Sequence, residues 1–123
     1  MANKAKRGPS RGQLLDAAFR TAVDHLDHRK YDTEAAALRS LRRRCRGFTP
    51  RQYRNGLRKA IDLLGSVEEV IAPFDPPYDA RSAEGGWAGF PEAARALQRR
   101  CPGFRRSTCG SAIGWVLFWR HWK

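Results

Sequence analysis

Nine basic side chains and no acidic one lie between positions 39 and 59: Arg39, Arg42, Arg43, Arg44, Arg46, Arg51, Arg54, Arg58 and Lys59. On a helix, Arg39, Arg42, Arg43 and Arg46 stand at i, i+3, i+4 and i+7, away from Leu38 and Leu41. Arg51, Arg54 and Arg58 repeat that arrangement further on. Like charges at these spacings cost an isolated helix roughly 0.2–0.5 kcal/mol per pair. A run of this kind therefore calls for an external counter-charge. Arginine outnumbers lysine 19 to 5, and a planar guanidinium with five donors suits bidentate phosphate contacts. The expectation is nucleic acid, DNA or RNA and sequence specificity undecided, held mainly by its phosphates, whose contacts supply affinity without reading bases. Arg39, Arg42, Arg43, Arg46, Arg51, Arg54 and Arg58 are the primary contacts, with Arg95, Arg99 and Arg100 second. The bland alternatives are a solvated basic face with counterions and a GC-rich genome that favours arginine codons.

Other chemistry is weaker. Cys45, Cys101 and Cys109 form no Cys-x-x-Cys pair, and with His25, His28 and His121 their spacings match no zinc module. Cys45 and Cys101 stand in register with Leu41 and Leu97, as small buried hydrophobes do. No metal and no cofactor is expected. The acids cluster in one segment, no glycine-rich loop follows a strand, and no Ser/His/Asp order stands out, so no catalytic residue is assigned and the chain is read as non-enzymatic. Trp115, Phe118, Trp119 and Trp122 fall at i, i+3, i+4 and i+7, opposite Ile113, Val116 and Leu117. A helix apolar on both sides is central in a core or partly an interface. This gives the alternative function, a protein-interaction or adaptor module that pairs with itself through the Trp-rich helix or binds an acidic protein.

The elements that must position these residues repeat. Residues 37–48 and 93–104 match at eight of twelve positions with an offset of 56, and each stretch ends in Cys-x-Gly-Phe. Each copy reads as helix, Gly-Phe corner, helix, with Gly47 or Gly103 at a left-handed helix stop. Thr49-Pro50-Arg51-Gln52 restarts the first copy with an N-cap threonine, a proline and a reciprocal glutamine. Tyr53, Leu57, Ala60, Ile61 and Leu64 follow as the apolar stripe, and Phe48 is expected to wedge the corner. Ser10-Arg11-Gly12-Gln13 is a second capping box, opening a helix with Leu14, Leu15, Ala18, Phe19, Ala22 and Leu26 inward. Ser66-Val67-Glu68-Glu69 reads as a third, starting a short helix to about Ala72. Pro91 is expected to open the helix of the second copy.

The fold class is all-α: two pseudo-repeated helical hairpins plus an N-terminal helix, about five helices in one small bundle. Residues 1–9, with Lys4, Lys6 and Arg7, form a disordered basic arm; 10–123 form a single domain. Within it lie an N-terminal helix (10–27), a first hairpin (33–72), an acidic Pro/Gly linker (73–90) and a second hairpin (91–123). Beside a phosphate backbone, the linker is the other candidate counter-charge for the arginines, folding back through Asp75, Asp79 and Glu84; the sequence does not decide whether it shields them.

The whole chain has 123 residues and a net charge of +12, suited to polyanion partners. Two basic blocks flank an acidic one at 60–92, where seven acids face Arg81 alone. Nothing approaches the roughly 18–20 apolar residues of a membrane-spanning helix. Charged residues near Met1 precede no apolar run, so no secretory signal is read. Three cysteines are an odd number, and reduced thiols in the cytoplasm are the expectation.

Overall fold

A computed structural model describes residues 10–27, 33–76 and 87–122. They are all-helical, with no strand among them. Five α-helices follow in order: α1 (Arg11–Asp27), α2 (Glu34–Arg44), α3 (Pro50–Ile71), α4 (Phe90–Arg100) and α5 (Arg106–Trp122), with a 3₁₀ turn at Ala72–Phe74. No helix among the described residues is long and apolar enough to cross a membrane. The chain divides into two compact units, Met1–Ala60 and Ile61–Lys123, and α3 runs from one into the other.

In the first unit α1 begins with a reciprocal cap: Ser10 N–H donates to Gln13 Oε1 and Gln13 N–H donates to Ser10 Oγ. Two orphan donors of the first turn are thereby satisfied. Leu14, Leu15, Ala18 and Ala22 are buried. Phe19 is only half-buried and Leu26 is exposed. The inward face of the last turns includes Thr21 instead, its hydroxyl donating to the Ala17 carbonyl at 2.8 Å. The α2 helix packs on α1 and is capped by Thr33, whose Oγ1 accepts from Ala36 N–H at 3.1 Å. Ala37, Ser40 and Leu41 are its buried residues; Leu38 sits at the margin of this face, half-buried.

The helix α3 corrects one expectation. Ser66 caps nothing, and its hydroxyl donates to the Asp62 carbonyl one turn back, 2.7 Å away. The buried series Leu57, Ala60, Leu63, Leu64, Val67, Ile71 keeps one helical period through Gly65 and Ser66. Continued burial therefore outweighs the roughly 1 kcal/mol that a mid-helix glycine costs.

In the second unit α4 packs on α5 and on the 3₁₀ turn. It starts at Phe90 with Gly89 as N-cap, one residue earlier than Pro91 suggested. A Cβ on Gly89 would lie 2.4 Å from the Phe74 carbonyl oxygen, and the same oxygen accepts from Trp87 Nε1 at 3.1 Å. Only glycine permits that approach. Ala93, Ala94 and Leu97 of α4 meet a core that includes Phe104, Cys109, Ala112, Ile113, Val116 and Leu117. Of the linker, 77–86 lie outside the described residues, as does the arm 1–9.

Helix boundaries recur at the offset of 56 residues. The first hairpin runs 34–44 then from 50, and the second 90–100 then from 106. Cys45 and Cys101 both close their helix, their N–H groups bonding to Leu41 O and Leu97 O. Gly47 and Gly103 both take positive φ, 105° and 103°.

Candidate functional site

The first corner, between α2 and α3, gathers the chemistry. Gly47 turns the chain in a backbone region that L side chains rarely adopt. Thr49 and Gln52 cap α3 reciprocally: Thr49 N–H donates to Gln52 Oε1, and Gln52 N–H donates to Thr49 Oγ1. Tyr53, one turn into α3, is 3 % exposed. Its hydroxyl donates to the Cys45 carbonyl at 2.7 Å and accepts from Phe48 N–H at 3.3 Å. One buried phenol thus satisfies two backbone groups the turn leaves without helical partners. The Phe48 ring stands edge-on to Tyr53, with 6.0 Å between centroids.

Removing that hydroxyl tests the bracing. Tyr53→Phe keeps the ring but leaves a buried carbonyl and an N–H without their partner, which costs about 1–3 kcal/mol. A lowered urea midpoint is expected; an unchanged midpoint would show the corner held by packing alone.

Arg42, Arg43 and Arg46 line a cleft of about 310 Å³ beside this corner, with Gly47, Phe48 and Tyr53 as its other walls. Arg42 places its guanidinium 5.8 Å from the centre of the Tyr53 ring. All three arginines are exposed, as are Arg39, Arg51, Arg54 and Arg58. None of these seven is ion-paired among the described residues.

The remaining arginines divide differently. Arg44, within the same run, bonds to Asp24 and, at 3.2 Å, to Thr21 Oγ1, and so ties α2 to α1. Arg95 is paired with Glu92, and Arg100 with Glu69 at 3.5 Å. Arg99 is exposed without such a partner among the described residues. The second hairpin therefore carries its positive charge partly offset. Exposed pairs of this kind add about 1 kcal/mol or less to stability.

A second cleft of about 210 Å³ also uses Phe48 as a wall, with Arg11, Leu14, Leu15, Gln52, Asn55, Gly56 and Lys59. Phe48 is legible in the sequence as a wedge and Gln52 as a cap; Asn55 carries no such signal, because only folding brings α1 against that part of α3.

The acidic linker is represented here by Asp75, exposed and with φ of 54°; Asp79 and Glu84 lie outside the described residues. On α5, Trp115 is half-buried and Phe118 is 47 % exposed, while the side chains of Trp119 and Trp122 are outside the description.

The thiols are set by burial. Cys45 and Cys109 are buried and Cys101 is half-buried. Desolvation raises all three, and Cys109 is pushed up to about 11, chiefly by burial and then by the neighbouring Cys101 thiol. Such thiols are protonated and poorly nucleophilic at neutral pH. No cluster of three metal-ligating side chains occurs among the described residues. Because folding favours the neutral Cys109 thiol, its contribution to stability is complete below pH 9.0 and is lost as pH rises towards about 11. The urea midpoint is expected to fall between pH 8 and about 10.5, and to fall less in Cys109→Ala. An equal fall in both proteins would assign the loss to other groups.

Searches of protein-family models, of curated proteins and of solved structures find no match to this chain.

Proposed function

We propose that this protein binds nucleic acid, chiefly through phosphate contacts of the first hairpin, and does so without catalysis. One observation carries the reading: seven exposed arginines have no acidic partner among the described residues, whereas Arg44, Arg95 and Arg100 are each met by a carboxylate. Arg44, which joins two helices of the first unit, has its counter-charge in Asp24. Where the fold supplies none, like charges crowd one hairpin at a cost of a few tenths of a kcal/mol for each close pair, roughly. A phosphate backbone removes that repulsion and gains affinity from the counterions it releases.

The reading is tested by fluorescence anisotropy with short labelled nucleic acids across a salt series. Micromolar or tighter binding with a steep negative dependence on salt is the expected result. Absence of binding at low salt would overturn it and turn attention to an acidic protein partner or to the exposed Phe118 of α5.

A further inference from the structure

The surface around Phe48 has more than charge. The arginine cleft and the second cleft adjoin through this one ring. Cations therefore stand to both sides of an aromatic wall: Arg42, Arg43 and Arg46 in one cleft, Arg11 and Lys59 in the other. We infer that this surface takes single-stranded nucleic acid, with an unpaired base against Phe48 and the flanking phosphates in the two basic clefts; the inference rests on the nucleic-acid reading above.

The second hairpin is an internal control for what the corner itself requires. At the equivalent corner Phe104 is 3 % exposed, whereas Phe48 is only half-buried. Positions 42, 46 and 53 correspond to Gln98, Pro102 and Cys109. The helix stop, the positive-φ glycine and the restart are all present there with Arg99 as the one counterpart of the arginine triad, an enclosed phenylalanine and no tyrosine. Tyr53 braces the first corner from within, whereas the extra arginines and the less buried Phe48 are additional to folding the turn. Together they have the composition of a stacking platform in a basic groove, where base–aromatic stacking supplements phosphate attraction. Asn55, exposed at the second cleft, adds a carboxamide able to donate to and accept from a base edge. Duplex nucleic acid hides its base faces within its own stack and gains nothing from Phe48.

The test compares four labelled probes of one length by anisotropy: single-stranded DNA, single-stranded RNA, duplex DNA, and an abasic deoxyribose-phosphate strand. Either natural single strand is expected to bind roughly 5- to 100-fold tighter than the abasic strand, and tighter than the duplex. Phe48→Leu should remove most of that advantage, bringing the affinity for natural single strands close to that for the abasic strand. Equal binding of the abasic and natural strands, or a duplex bound as tightly as single strands, would overturn the inference while a steep salt dependence left the phosphate reading standing. If no probe binds at low salt, the nucleic-acid reading fails and this inference with it. Should Phe48→Leu lower the melting temperature enough to obscure binding, the abasic comparison on the native chain decides alone.

Discussion

Replacing Arg42, Arg43 and Arg46 together with glutamine is expected to weaken nucleic-acid binding about 50-fold at 0.15 M salt and to leave the melting temperature within a degree or two, roughly, of the native value. The estimate follows from counterion release. Each phosphate neutralised on a single strand contributes about 0.7 to the slope of log affinity against log salt. Three lost contacts therefore flatten the slope by about two units and, at 0.15 M, remove about 1.7 decades of affinity. Stability is insulated because all three side chains are exposed. The cation–π contact of Arg42 with Tyr53 is worth about 0.5–1 kcal/mol at such a site. Relief of repulsion between Arg39, Arg42, Arg43 and Arg46 returns a similar amount, roughly 0.2–0.5 kcal/mol per close pair. Glutamine also keeps near-equal helix propensity. Unchanged affinity and slope in the triple variant would move the contacts away from this cleft.

One residue before Arg42 the expected result reverses. Leu41 is fully buried on the face of α2 that meets α1. Leu41→Ala removes its transfer free energy and leaves a cavity that a helix pair held by Arg44 and Asp24 closes only in part. The cost is about 2–5 kcal/mol, a large share of the roughly 5–15 kcal/mol available to a domain of this size. A fall in melting temperature of about 10–15 °C is expected, read by circular dichroism at 222 nm. At a temperature where the variant remains folded, its salt slope should equal that of the native chain, since no cleft arginine has changed. A melting temperature within about 2 °C of native would place Leu41 in a site that collapses freely. A flattened slope in folded Leu41→Ala would show the cleft depending on core packing for its shape.

Local signals were legible in the chain because their partners lie within a few residues. The boxes at Ser10–Gln13 and Thr49–Gln52 form as their residue types dictate, since a cap bonds three positions along the chain. The glycines after Cys45 and Cys101 turn with positive φ for the same local reason. Ser66 misled because its pattern is also local, while the apolar period that overrides it extends over all 22 residues of α3. Arg95 finds Glu92 three positions away, but tertiary structure alone decided the other two arginine pairs. Arg44 meets a carboxylate 20 positions away and Arg100 one 31 positions away, and no spacing rule reaches so far. It also decided that Phe104 is enclosed while Phe48, at the matching position, remains accessible between two basic clefts. The twelve-residue motif is shared by both hairpins. The burial of its last residue depends on what the rest of each unit packs against it.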